Sequence, residues 1–88
     1  MTNETTTRIR LIHLNTYEVN HPYEAAVSVA RAIRESGAKA RIVCQSAHHS
    51  YDVVTGDRFV RFVATRFRVA NEGDILRAAA AKATEVRP

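Results

Sequence analysis

An alternation of apolar and polar residues predicts a first strand near the start of the chain. The segment 8–14 is short and contains β-branched residues, and its polar and apolar side chains alternate between two faces. Asn15-Thr16, a pair that favours a turn, follows it. Residues 1–7 are polar and include consecutive threonines, which predicts a disordered tail. The folded part is therefore predicted to be a single domain spanning 8–88.

The next pattern repeats at helical spacing and predicts a helix over 22–36. His21 stands at the N-cap position, so Pro22 falls at the first helical position, where its missing N–H costs nothing. Gly37 stands where a glycine commonly ends a helix. The apolar stripe of this helix consists of Ala26, Val29, Ala30 and Ile33.

Two further strands are predicted at 40–45 and 50–54. The first follows a strand and a helix with short connections, which favours a unit whose two strands run parallel. The histidine-containing segment 46–49 separates the two strands, and if its turn is tight they form an antiparallel hairpin.

The second half of the chain is more ambiguous. A helix is predicted over 57–69, with an apolar stripe and a polar stripe that contains Arg58, Arg61 and Arg68. A strand over 65–70 is the alternative, because those residues also alternate. Residues 74–80 are consistent with a last strand or with the start of a terminal helix, and the alanines that follow favour the helix.

The combined pattern predicts an α/β (α+β) fold, a small open-faced sandwich with the order β-α-β-β-α followed by a strand or a helix. The sheet has three or four strands, and the helices 22–36 and 57–69 pack on one face.

Composition narrows the class of protein. The chain has 88 residues, 45% of them hydrophobic and 25% charged, which are globular values. One cysteine excludes an internal disulfide, and no apolar run is long enough to cross a membrane. The start of the chain lacks the pattern of a signal peptide, so we expect a cytoplasmic protein without a membrane partner.

The net charge of +4 favours partners that are acidic or rich in phosphate. Four arginines, Arg58, Arg61, Arg66 and Arg68, lie within eleven residues that contain no acid. This patch suggests either a protein partner or nucleic acid bound through its phosphates, with little sequence preference. Solvated surface charge is the simplest alternative.

Few residues suggest chemistry. His21 with its neighbours Asn20 and Tyr23 would meet the free N–H groups of the first helix, where a phosphate is stabilised, although simple capping explains the same residues. Cys44 alternates with Ile42 and is predicted to be a core residue. His48 and His49 are adjacent and lack the spacing of metal ligands, so no metal site is predicted. No cofactor and no catalytic residue is predicted either.

The stretch His21-Pro22-Tyr23-Glu24-Ala25-Ala26-Val27 resembles the active-site segment of HPr, the histidine-containing phosphocarrier family of the sugar phosphotransferase system. The Arg41-Ile42 position and the turn Asn71-Glu72-Gly73-Asp74 also resemble that family, and the likeness covers residues 8 to about 80. Tyr23 stands where the family has its active-site arginine. DsrE-like and Alba-like families share the opening strand–helix–strand pattern.

The resemblance implies a small non-catalytic adaptor or regulatory module. A protein partner would dock at the start of the first helix and along the arginine-rich second helix, and His21 would retain at most a residual phosphocarrier role. The alternative is a nucleic-acid-binding protein that uses Arg58, Arg61, Arg66 and Arg68. The sequence does not indicate the oligomeric state.

Overall fold

A computed structural model describes residues 10–85, which form one sheet and two helices. The strands are β1 (Ile12–Val19), β2 (Arg41–Gln45), β3 (Ser50–Thr55) and β4 (Arg58–Ala64). The helices are α1 (Pro22–Glu35) and α2 (Glu72–Ala83), and a single 3-10 turn (Ser46–His48) separates β2 from β3. The α/β (α+β) open-faced fold predicted from the sequence is confirmed. The predicted tail at 1–7 and the predicted start of the first strand at 8–9 lie outside the described residues.

The order of strands in the sheet is β1-β4-β3-β2. β4 pairs parallel with β1 and antiparallel with β3, and β3 pairs antiparallel with β2. The β2–β3 hairpin is therefore confirmed. β1 and β2 run in the same direction, as the strand–helix–strand pattern predicts, but they lie at opposite edges because β4 and β3 lie between them.

α1 begins at the residue that its sequence predicts, and Ser36, the last residue of the predicted helix, is its C-cap residue. His21 is the N-cap residue and Pro22 is at the first helical position. Gly37 has φ +98°, a left-handed conformation that glycine adopts without steric cost. Its N–H donates to the Arg34 carbonyl and the next N–H, of Ala38, donates to the Ile33 carbonyl, which is the Schellman arrangement.

The hydrophobic core lies between the helices and one face of the sheet, which we call the inner face. Its largest members are Phe62, Ile33 and Val19, each with no exposed surface. The remaining core residues come from both helices and from β3 and β4: Ala25, Ala26, Val29, Ala30, Val53, Val60, Ala79 and Ala83. Both helices therefore pack on the inner face and leave the other face of the sheet, the open face, without a helix over it.

The predicted helix over 57–69 is wrong, because this segment forms β4 and the loop after it. Val60 and Phe62 are buried on the inner face, whereas Phe59 and Val63 are half-buried on the open face. Apolar residues on both faces of a central strand reproduce the i, i+3, i+4 spacing of a helix. The aromatic and β-branched composition favours the strand, and Gly56 at φ +61° closes a two-residue hairpin turn between β3 and β4.

Two other boundaries differ from the predictions. Asn15-Thr16 does not end β1, which continues to Val19 with an irregularity in its register between His13 and Asn15. The ambiguous segment 74–80 is helical, as the alanines favour. The turn that resembled a late HPr turn is the start of α2, for which Asn71 is the N-cap residue.

Exposed side chains occupy backbone groups near both edges of the sheet. The Asn15 Oδ1 atom accepts a hydrogen bond from the N–H of Thr16 in edge strand β1, at 2.9 Å. Beside edge strand β2, the Arg34 guanidinium donates to the Ala40 carbonyl at 2.8 and 3.2 Å. Occupied edge groups and register irregularities reduce the tendency of a sheet to pair with another chain.

An ion pair crosses the open face between the two central strands. Arg61 donates to both carboxylate oxygens of Asp52, at 2.7 and 3.0 Å, and the Gln45 amide donates to the same carboxylate at 3.3 Å. The Asp52 side chain is only 5% exposed. The hydrogen bonds to Asp52 raise the pKa of Arg61 above its ordinary value, so the guanidinium remains charged wherever the protein is folded.

Removing the cation of this pair should destabilise the fold more than removing the anion. Arg61→Met leaves a buried carboxylate without its partner and should lower the free energy of unfolding by about 3 kcal/mol. Asp52→Asn should cost about 1 kcal/mol, because the more exposed guanidinium regains water. Urea denaturation measures both values.

The exposed pair Arg77–Asp74 provides the control for this experiment. Arg77→Met should change the free energy of unfolding by less than about 0.5 kcal/mol. A cost for Arg61→Met no larger than that of Arg77→Met or Asp52→Asn would contradict the role assigned to the buried carboxylate.

Candidate functional site

One end of the sheet, where β1, β2 and β4 all finish, carries five of the candidate residues: Asn20, His21, Tyr23, Arg66 and Arg68. Because these strands run in the same direction, the segments that follow them lie at a common end, which we call the rim. Asn20 and His21 follow β1, residues 46–49 follow β2, and residues 65–71 connect β4 to α2. The rim therefore brings the start of α1 and the β4–α2 loop to the same end of the molecule.

The most exposed large hydrophobic side chain in the described residues is on this loop. Phe67 is 81% exposed, and its neighbours Arg66 and Arg68 are exposed as well. Burying a phenylalanine side chain gives roughly 2 kcal/mol, which the isolated protein does not gain at this position. An aromatic ring between two cations is a surface suited to binding an acidic or aromatic group.

Backbone and side-chain hydrogen bonds fix the conformation of the loop. The N–H of Thr65 donates to the Val19 carbonyl at 2.9 Å, and the N–H of Phe67 donates to the Thr65 hydroxyl at 3.1 Å. Further along, the N–H of Val69 donates to Asn20 Oδ1 at 2.8 Å. Phe67 is therefore presented by a loop that is anchored on both sides of the ring.

Asn20 has a different role from the one its sequence suggests. The sequence makes it a candidate for contact with a phosphate or a partner, but its Nδ2 group donates to the Val69 carbonyl while its Oδ1 accepts from the Val69 N–H. Its backbone N–H donates to Glu72 Oε2 at 2.6 Å. The side-chain amide is occupied by these bonds and is half-buried, so Asn20 supports the loop.

His21 and Tyr23 lie on the surface at the start of α1. His21 is exposed at the N-cap and makes no side-chain capping hydrogen bond. Tyr23 is 56% exposed, and its ring meets the ring of Tyr51 edge to face at 5.3 Å between centroids. Both side chains are therefore accessible at the rim.

The four arginines do not form one stripe, which corrects the patch predicted on a second helix. Arg58 donates to the Glu85 carbonyl near the end of α2, at the opposite end of the sheet. Arg61 is held by Asp52 on the open face. Arg66 and Arg68 are exposed in the loop at the rim. A strand alternates its side chains between two faces, so residues that share one side of a helix are separated here.

The cysteine prediction is wrong, because Cys44 is exposed on edge strand β2. It borders a depression of about 390 Å³ at the rim, between the start of α1 and the β2–β3 turn. Pro22, His49 and Tyr51 also line this depression. Within residues 10–85, no group of three or more histidine, cysteine or acidic side chains is arranged to hold a metal ion. The side chain of His48 lies outside the described set.

The sequence pattern did not predict a row of side chains that runs across neighbouring strands on the open face. The His13 ring stacks on Phe59 with centroids 4.9 Å apart and planes 6° from parallel, and the Arg61 guanidinium lies 5.3 Å from the Phe59 centroid. His13 is also hydrogen-bonded to the Thr16 hydroxyl at 2.9 Å. Assigning 57–69 to a helix hides this row, since its members become neighbours only when β4 pairs with β1.

Comparison of the chain with models of protein families, with curated proteins and with solved structures finds no match. Neither α1 nor α2, the helices of the described part of the chain, is long and apolar enough to cross a membrane.

The environment of Tyr51 gives a direct test of the geometry beside the depression. The nearby Cys44 raises the pKa of Tyr51 above 10.0, chiefly through its charge, and burial and a hydrogen bond to Cys44 add to the effect. Two neighbouring negative charges repel each other, so the charge of Cys44 opposes ionisation of the Tyr51 phenol. Cys44→Ser keeps a hydrogen-bonding group and removes the charge.

We therefore expect Cys44→Ser to lower the pKa of Tyr51 toward its ordinary value. The ¹³Cζ chemical shift of each tyrosine, followed against pH, reports this change, and Tyr17 serves as the internal reference. An unchanged Tyr51 titration in the variant would show that the two side chains are not adjacent in solution.

Proposed function

We propose that the protein is a non-catalytic binding module that docks an acidic segment of a protein partner at the rim. The observation that carries the proposal is the 81% exposure of Phe67 between two exposed arginines. This assignment keeps the adaptor function that the HPr-like resemblance implies, and it moves the docking surface from a second helix to the β4–α2 loop.

The residue types at the rim suit a protein interface. Aromatic residues and arginine account for much of the binding energy in protein–protein interfaces, and Phe67, Arg66, Arg68 and Tyr23 supply both kinds. The loop is already anchored through Thr65 and Val69, so little further ordering is required when a partner binds. His21 lies next to the anchoring Asn20 and adds a polar group to the same rim.

The distribution of charge favours a protein over nucleic acid. A phosphate backbone is held by several cations, each of which replaces condensed counterions. Here Arg58 is bound to a carbonyl and Arg61 to Asp52, which leaves Arg66 and Arg68 of the predicted patch for a ligand. Two arginines beside an aromatic ring match one or two acidic side chains next to an apolar anchor.

A photoreactive phenylalanine analogue in place of Phe67 tests this proposal. We expect it to crosslink one protein partner in cells, whereas the same analogue at exposed Ala81 on α2 does not. With that partner purified, Phe67→Ala should weaken binding by about 30-fold, the effect of losing a central anchor of about 2 kcal/mol. Isothermal titration calorimetry measures the affinity.

Two controls change the same kinds of side chain away from the rim. Ile12 is an exposed hydrophobic residue at the opposite end of the sheet, and Ile12→Ala should leave the affinity unchanged. Arg66→Glu with Arg68→Glu should abolish binding, while Arg10→Glu with Arg31→Glu changes the net charge equally and should not. Equal losses in both charge variants would contradict a specific role for the rim.

Single-stranded nucleic acid is the second candidate, and the row on the open face is the observation that favours it. Stacked aromatic rings on an uncovered sheet face, with arginines nearby, are a surface on which bases stack. His13 and Phe59 form such a stack beside Arg61, and β4 leads from them to Phe67. A bound single strand would then place its bases on the open face and its phosphates at Arg66 and Arg68.

Fluorescence anisotropy with labelled oligo-dT and oligo-U tests the second candidate. If it is correct, binding weakens as salt increases, and Arg66→Gln with Arg68→Gln reduces the slope of log K against log salt by about 1.4. Phe59→Leu, which keeps an apolar side chain and removes the ring, weakens binding at every salt concentration. No binding at low salt would end this candidate and leave the protein partner.

A further inference from the structure

The hydrogen bonds of Asn20 connect the start of α1 to residues 69–72, a stretch about fifty residues further along the chain. Its side chain bonds to both backbone groups of Val69, 49 residues away, and its backbone N–H bonds to Glu72, 52 residues away. Asn20 itself lies between the end of β1 and the start of α1. One residue therefore ties the start of α1 to the loop and to the first turn of α2.

A side-chain amide is the group that this arrangement requires. Asn20 offers an acceptor for the Val69 N–H and a donor for the Val69 carbonyl, at 2.8 and 2.9 Å, and so reproduces the pairing of an adjacent strand. An aspartate would keep the acceptor and place a second oxygen against the carbonyl. An alanine would leave both half-buried backbone groups without their partner.

The bonds of Asn20 act at the base of the segment that carries Phe67. Thr65 joins the loop to Val19, the residue before Asn20, and Val69 joins it to Asn20. Phe67 is held between these two anchors with little other burial, since 81% of its surface is exposed. Without the second anchor, fewer contacts offset the conformational entropy that the segment 66–71 loses when it is ordered.

We infer that Asn20 is a positioning residue for the docking surface: it does not touch the partner, but it holds Phe67, Arg66 and Arg68 in the arrangement that binds. This inference rests on the proposed function for the identity of what binds. Its structural part, the fixing of the loop, is a property of the free protein and is tested without a partner.

The test uses the three phenylalanines as ¹⁹F probes. The chain contains only Phe59, Phe62 and Phe67, so uniform 4-fluorophenylalanine labelling gives one signal from the open face, one from the core and one from the loop. In Asn20→Asp we expect the Phe67 signal to narrow and move toward the free amino acid. The Phe59 and Phe62 signals should keep their positions, which separates loosening of the loop from a general loss of structure.

Trypsin gives a second readout on the same variant. Cleavage after Arg66 and Arg68 requires the loop to open, and we expect it to be about tenfold faster in Asn20→Asp than in the wild type. Cleavage after Lys39, in the exposed connection between α1 and β2, is the internal control and should not change. Photocrosslinking yield at position 67 should fall in parallel.

Glu72→Gln provides a milder variant if Asn20→Asp fails to fold. It weakens the bond to the Asn20 N–H without removing the side chain, and it should shift the Phe67 signal in the same direction by a smaller amount. An unchanged Phe67 signal, or equal changes of all three signals in both variants, would overturn the positioning role. A loosened loop together with wild-type partner affinity would instead contradict the proposed function.

Discussion

The parallel pairing of β4 with β1 is the constraint on which the rest of the structure depends. β4 follows a tight hairpin from β3 and lies between β3 and β1, so the backbone groups along both of its edges are paired. On the inner face it supplies Val60 and Phe62 to the core, and on the open face it supplies the arginine that pairs with Asp52. The same pairing makes β1 and β4 finish together, and this creates the rim.

The sequence is sufficient to predict those helices and hairpins whose boundaries are set by neighbouring residues. α1 is bounded by a proline that fits the first turn and a glycine that adopts a left-handed conformation, and both signals lie within one helical turn of the boundary. The β2–β3 hairpin likewise depends on neighbouring residues. These elements and the layered class of the fold could therefore be inferred from the sequence.

The remainder depends on contacts between distant segments. Phe59 and Val63 are half-buried on a face without helices, so the apolar pattern of β4 has no clean alternation and imitates a helix. The role of Asn20 is set by Val69 and Glu72, which no local pattern connects to it. The sequence does show a phenylalanine between two arginines at Phe67. That its ring is exposed can be recognised only when the segment is known to be a loop.

The two ends of the sheet differ in what they present. At the end opposite the rim, the N–H of Ile12 bonds to the Asp57 carbonyl and Arg58 bonds to Glu85, so both limits of the described chain are fastened there. The described chain thus enters and leaves the fold on the side away from Phe67. A surface linkage made to side chains at this end of the sheet would display the rim outward, a geometry suited to affinity chromatography.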